Sequence, residues 1–471
     1  MKFERALWIL IFLISRAASA QEIPAQPKDS AALQHIRRIL IAGNHKTQDR
    51  IILRELSLNP GDTVRRYQIK KLTADDRKRL YNLRLFNDVQ VMVIEEGDEV
   101  DLVVVVEERW FTYPVPIFEL SDRNFNEWWQ NYGHDFSRVN YGLRLFQYNF
   151  RGRNETLRLT ARYGFSKRFD LFYRIPNLTR NQKHGLLLEF IYAEPSNLAY
   201  RTTDHVLTFL NERKPLRRYT ESGLTYTFRK SFYQTHSLRL GVESMAISDT
   251  IFTLNPLYLN GRKSQWYSSL SYRFVAEHRD VIAYPLRGYQ VTAGLTRAGL
   301  GLGDQVNQWN VSGSLAIHKP WRNELYFSWF TMFQLATAND QPYTALQGLG
   351  YRRQFLRGYE IYVLEGPFFT MQKATLKKRL FDREFHTSIG FPQFRKMPFA
   401  VYLKAYADAG FVKNYPSYEK AGFNTRLSDK PLAGFGVGLD LVGYYDSVIR
   451  LEYTLTNQLT RGFYLNIRKE F

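Results

Sequence analysis

The last nine residues read Phe463-Tyr464-Leu465-Asn466-Ile467-Arg468-Lys469-Glu470-Phe471, and their alternation decides the fold. Phe463, Leu465, Ile467 and Phe471 fall on one face of an extended strand, while Tyr464, Asn466, Arg468 and Glu470 fall on the other. Lys469 alone breaks the rule by standing on the apolar side. An apolar-out, polar-in strand closed by a terminal Phe is how outer-membrane β-barrels end. A soluble sandwich can also end on such a strand, so other parts of the chain must separate the two.

The opposite terminus favours the barrel. Lys2 and Arg5 precede an apolar run from Ala6 to Ile14, and Ala18, Ser19 and Ala20 follow as a small-residue cleavage site. Residues 1–20 are therefore expected to be a secretory signal peptide, with 21–32 as a linker. The run is too short to cross a bilayer, which takes about 20 apolar residues, and no other stretch approaches that length. The chain has no cysteine, which excludes a lipid-modified cysteine and any disulfide framework.

Composition agrees. Tyr (31) and Phe (34) are abundant in a chain of 471 residues, yet continuous apolar stretches are missing, as expected for alternating strands flanked by aromatic girdles. The formal net charge of +20 comes from Lys and Arg scattered at alternate positions of strand-like segments. A nucleic-acid surface would gather them into a dense patch. Basic side chains lining a lumen and its rims, facing anionic headgroups or acidic clients, account for the charge instead.

The mature chain divides at about Trp110. From Leu33 to Arg109 the pattern is strand, helix, helix, strand, strand. Ile36, Ile39 and Ile41 lead to a Gly43-Asn44 turn and a helix capped by Thr47, which closes at Asn59-Pro60-Gly61. A second helix is predicted from Tyr67 to Leu83. Val89, Val91 and Val93 then alternate, and Val100 to Val106 is almost continuously apolar, the mark of a central strand. Taken alone this is a small α+β domain with no catalytic feature.

Four groups of residues carry a resemblance: Gly43, Asn44 and Thr47; Arg54, Glu55, Leu56, Gly61 and Asp62; Leu83, Leu85, Phe86 and Val89; and Val105, Val106, Glu107 and Glu108. In that order they resemble a POTRA domain, the periplasmic module of the BamA/TamA-like outer-membrane assembly barrels. A single copy is visible, so the chain looks like a short form of that family. The resemblance implies localisation in the outer membrane of a Gram-negative bacterium, with the POTRA domain in the periplasm.

Beyond Trp110 every segment is short, alternating and bounded by turns. Leu157, Leu159, Ala161 and Tyr163 alternate with Arg158, Thr160 and Arg162, and Leu238, Leu240 and Val242 with Arg239, Gly241 and Glu243. Near the end Ile449, Leu451, Tyr453 and Leu455 do the same. With strands of roughly 10 residues, residues 110–471 hold about 16 of them. No internal repeat supports a propeller. The expected fold is thus a β-α-α-β-β POTRA domain (33–109) followed by an all-β transmembrane antiparallel barrel (110–471).

Within the barrel, Leu356, Arg357, Gly358 and Tyr359, followed by Leu364, Glu365 and Gly366, resemble the arginine-glycine-aromatic tip of the family's inward-folded loop. Tyr406, Asp408 and Gly410 resemble the strand whose aspartate faces it. An Arg carried into a lumen needs a carboxylate, and a bidentate pair fixes orientation, so Arg357 is expected on Asp408. Asp280, Tyr284, Pro285, Gly288 and Tyr289 resemble a mid-barrel strand start. The family tends to place an acid after the loop, whereas here Leu376 is followed by the basic Lys377, Lys378 and Arg379.

Pro114 and Pro116 stand at the entry of the first barrel strand, and proline belongs on an edge or a strand start. A closing seam is expected between Ile117, Phe118 and the strand carrying Phe463, Leu465, Ile467 and Phe471. In the family such a seam is read as a lateral gate; equally, the prolines can serve only to stiffen the linker.

Enzyme signatures are missing: no Gly-x-Ser-x-Gly elbow, no phosphate loop, no His-Glu-x-x-His. Glycines at 299, 301, 303 and at 434, 436, 438 read as strand faces at barrel bends, and the histidines lack ligand spacing. No catalytic residue, metal or cofactor is expected. The resemblance implies partners among unfolded outer-membrane or secreted client proteins, periplasmic or lipoprotein accessory subunits and outer-membrane lipids, with Val89, Val91 and Val93 marking the POTRA edge offered to clients. An anion-selecting porin and a two-partner secretion pore are the alternatives.

Overall fold

The computed structural model describes residues 32–120, 136, 139–337, 341–351, 354–386 and 396–469. The expected signal peptide and the terminal Phe471 lie outside them.

The first unit contains β1 (Leu33–Ala42), α1 (Asp49–Leu53), β2 (Thr63–Arg65), α2 (Arg66–Asn82), β3 (Phe86–Glu96) and β4 (Glu99–Glu108). Its sheet runs β2-β1-β4-β3, with β1 parallel to β4 and the other pairs antiparallel. The apolar run becomes the central β4, and β3 is left as an edge. Val100, Leu102, Val104 and Val106 are buried under α2, which contributes Ile69 and Leu80. Arg84, in the left-handed region at φ 60°, turns the chain out of α2.

Three sequence expectations need correcting in this unit. Thr47 does not cap α1. Gln48 holds the N-cap position without a side-chain capping bond, while Thr47 is buried, its N–H donating to the Glu108 carboxylate and its hydroxyl accepting from Asn149. The first helix is only five residues long, because the chain turns at Arg54 to bury Leu56 and Leu58. The three-residue β2 was not anticipated; so short a run carries no period to read.

The barrel begins at β5 (Thr112–Leu120) and ends at β22 (Arg461–Lys469). Sixteen strands form one antiparallel sheet in chain order, and the separate hairpin of β10 (Asn197–Thr203) and β11 (Val206–Asn211) is inserted between two of them. The alternation sorts side chains as a spanning wall requires. Leu159, Tyr163, Leu238, Leu240, Val242, Leu451 and Leu455 are exposed on the outside, while Arg158, Arg239 and Glu452 face inward. Bonds in the interior, such as Tyr284 Oη to Asp440 at 2.9 Å, tie the connection before residue 288 to the wall.

The two ends of the barrel differ. At one end, the short turns meet the POTRA unit. At the other, the β10–β11 hairpin, α3 (Asp249–Leu254) and residues 256–259 pack Leu198, Leu216, Ile251, Tyr258 and Leu259 into a cap.

Candidate functional site

The connection between β17 (Leu325–Ala336) and β18 (Phe368–His386) folds into the lumen, pinned by a bridge between Leu349 and Leu364. Its tip carries Leu356, Arg357, Gly358 and Tyr359, all four of them buried. Arg357 meets Asp408 of β19 (Lys396–Lys413): Nε donates to Oδ2 at 2.9 Å, Nη2 donates to Oδ1, and the Arg357 backbone N–H adds a third bond to Oδ2 at 3.1 Å. Nη2 also donates to Thr375 at 3.1 Å, and the guanidinium lies 3.8 Å from the centre of the Tyr406 ring. A charge-assisted bidentate pair stacked on an aromatic face leaves the side chain one orientation.

The neighbouring wall is shaped to admit the tip. On β20 (Leu432–Val442), Gly434, Gly436 and Gly438 point into the lumen opposite Asp408, Tyr406 and Lys404. A Cβ on Gly434 would run into the Arg357 carbonyl, and one on Gly436 into the Tyr406 hydroxyl. Gly410 is in the same position towards Leu356. Gly358, at φ 90°, passes so close to Thr454 and Thr456 that a side chain there would overlap their methyl groups. The glycine row is therefore a docking groove, not a barrel bend. The other set corrects differently: Gly299, Gly301 and Gly303 lie in a loop at φ 83°, 90° and 86°, with Asp304 accepting the N–H of Gly301 and Leu302.

From the tip, contacts run in two directions. Tyr359 Oη donates to Asn457 at 2.6 Å and Tyr464 Oη, on β22, donates to the Gly358 carbonyl at 3.3 Å, so the last strand holds the loop directly. Glu365 lies buried at the far end, accepting from Thr202 of the β10–β11 hairpin, from Tyr351 at 2.8 Å and from Asn424 at 3.2 Å. Below the tip, Lys404 is held by Asp440 and Glu452, and Tyr284 donates to Asp440, which gives the mid-barrel Asp280–Tyr289 segment a partner in the lumen. In the basic stretch after the loop, Lys377 turns inward and Arg379 pairs with Glu324 and Asp382.

The seam residues stand apart from the loop. Among the described residues no ladder joins β5 to β22, which are the two ends of the 16-stranded sheet. Phe118, Phe463 and Leu465 are 70%, 85% and 63% exposed, whereas Ile117 is buried. Ile467 sits opposite Ile449 in the ladder between β21 (Ser447–Thr456) and β22. In the POTRA unit, Gly43 turns at φ 87° against β4, and Asn44 Nδ2 donates to the Thr47 carbonyl at 2.9 Å. Val89, Val91 and Val93 pack into the core, leaving Met92 and Ile94 on the open side of β3.

Sequence reasoning missed the contacts between the two units. Glu55 binds Arg229 through both oxygens, at 2.5 and 2.7 Å, and Arg109 Nη1 donates to Asp446 at 2.8 Å with both side chains buried. Asn82 bonds the backbone at Asp280 and Ile282. A carboxylate at a helix end gives no hint of a partner far away in the chain.

A family model described as "Surface antigen variable number repeat", the POTRA family, matches residues 34–109, and one described as "Omp85 superfamily domain" matches residues 149–471. A Treponema pallidum protein named as an outer membrane protein assembly factor is 39% identical over 77 residues, and the outer membrane protein assembly factor BamA of Nitratidesulfovibrio vulgaris 34% over 77 residues. Each match covers 16% of this chain and 9% of the relative, so the chain spans only a small part of those proteins' length. The solved structure of CdiB from Escherichia coli has the same fold, with a TM-score of 0.53 at 12% identity over 92% of this chain and 76% of that one. With one family model covering more than half of its residues and a POTRA match ahead of it, the chain belongs to the Omp85 superfamily of outer-membrane β-barrels.

Proposed function

We propose that this protein inserts or translocates client proteins at the outer membrane, taking an extended client on the β3 edge of a periplasmic POTRA domain and releasing it through the β5–β22 seam. The observation that carries this reading is the seam: two strand edges with no ladder between them among the described residues, flanked by exposed Phe118, Phe463 and Leu465. An unpaired edge is a template for another strand. The bond from Tyr464 to Gly358 links that edge to the lumen loop, which supports a role for the loop in setting the position of β22. No nucleotide is needed, since burying a client's strands in lipid with their backbone groups paired is downhill.

The test is a covalent seam. The natural chain has no cysteine, so Phe118→Cys and Leu465→Cys can be joined by a bifunctional maleimide in proteoliposomes. Insertion of a client barrel should fall at least tenfold on linking. Insertion at the unlinked rate would overturn lateral release. Planar-bilayer conductance separates the porin reading, which requires a steady anion current in the absence of any client.

A further inference from the structure

We propose that the chamber below the loop tip binds a phosphate-type oxyanion, with Lys377 as its anchor. The chamber has a volume of about 290 Å³, roofed by Phe355 and Arg357 and walled by strands from β16 (Gln308–Arg322) to β22. Five basic side chains line it, Arg357, Lys373, Lys377, Lys404 and Arg450, against two carboxylates, Asp440 and Glu452. Both carboxylates are bound by Lys404. Asp408 and Glu360 stand outside the lining, and Asp408 is held by Arg357.

Lys377 is the exception among these cations. It is 7% exposed, and among the described residues its ammonium has no carboxylate within ion-pair distance; it rests 4.1 Å from the centre of the Tyr284 ring. Two more nitrogens reach the same chamber without a hydrogen bond: His318 bonds Ser328 through Nδ1 at 2.9 Å and leaves Nε2 buried without one, and Arg450 Nε makes none, its ion pair with Asp440 being long at 3.8 Å. A buried ammonium and a guanidinium nitrogen with no hydrogen bond are costly unless something supplies lone pairs. Cationic donors arriving from separate elements, Lys377 on β18, Arg450 on the strand before β22 and Arg357 from the loop, suit oxygens that diverge tetrahedrally better than the two coplanar oxygens of a carboxylate.

Two sources carry that chemistry. One is free phosphate in the lumen. The other is a phospholipid headgroup entering by the unpaired seam, since Asn466 of β22 is part of the chamber wall.

Titration calorimetry on the full chain in detergent tests the site with two probes, inorganic phosphate and dihexanoyl phosphatidylglycerol. Saturable binding of either supports the proposal, and which one binds identifies the source. Lys377→Met should weaken binding at least tenfold, Lys377→Arg should preserve it, and Lys378→Met, on the exposed neighbour, should leave it unchanged. No binding of either probe, or equal binding in Lys377→Met and the natural chain, overturns it. The heat-dependent gel shift of the barrel establishes that each variant is folded.

Discussion

Arg357 is held by four hydrogen bonds, an aromatic face and a groove with no side chains in the way. Removing one partner of a buried ion pair leaves the other charge unmatched, at a cost of about 3–5 kcal/mol. Asp408→Asn should therefore expel the tip, and Gly434→Ala should do so by steric overlap with the Arg357 carbonyl. With Glu360→Cys as a reporter in a chain free of cysteine, thiol labelling of the tip should accelerate at least tenfold in both backgrounds. An unchanged labelling rate would show that the tip is retained by its surroundings. The sequence allows Arg357 and Asp408 to be named together because both stand in motifs that resemble the family's, and the need of a lumen arginine for a carboxylate explains the pairing without selecting Asp408. It gives no comparable reason for the glycine row: a glycine has no side chain to announce what approaches it, so even spacing points equally to a bend.

At the scale of elements, period-two alternation made the barrel legible, since each strand divides its side chains between lipid and lumen. The inserted β10–β11 hairpin has no such division and was not read from the sequence. Its turn carries His205, fully buried against the far-end loops, with Nε2 accepting from the Leu427 N–H, the backbone N–H donating to Asn424 and Nδ1 unpaired. Burial, reinforced by Arg426, lowers its pKa from 6.5 to about 4, while Asp204 opposes the shift in part. A depressed histidine pKa means the docked state binds fewer protons than the undocked one, so docking is fully stable above pH 6.5 and weakens as pH falls towards 4. The loss amounts to roughly 3 kcal/mol once both states are protonated. Hydrogen exchange of the 197–211 hairpin should rise steeply between pH 6.5 and 4 after correction for intrinsic rates, and His205→Asn should flatten that rise. A pH-independent profile in the natural chain would remove the histidine from the docking equilibrium.

At the scale of the molecule, direct contacts with the barrel rim fix the direction of the POTRA domain. Leu85, Phe86 and Phe111 join the two units through one apolar cluster that also takes in Tyr148. Around it stand the Glu55–Arg229 and Arg109–Asp446 pairs and the bonds from Asn82. Surface pairs contribute about 0–1 kcal/mol, but Arg109 and Asp446 are nearly dry, and Arg109 also caps the Phe86 carbonyl at 2.9 Å. Asp446→Asn combined with Arg229→Gln removes both ionic contacts while leaving each unit's own core intact. Spin labels at Met92→Cys on β3 and Trp321→Cys on the rim, both exposed, report the angle between the units. The natural chain should give one narrow distance distribution, and the double variant a distribution broadened towards longer distances, most strongly at low salt where the lost attraction matters most. If client insertion requires the β3 edge at a fixed height below the seam, the same variant should lose insertion in proportion to the broadening. A broad distribution with full insertion would show that the domain delivers clients as a tether, with no geometric alignment to β5 and β22.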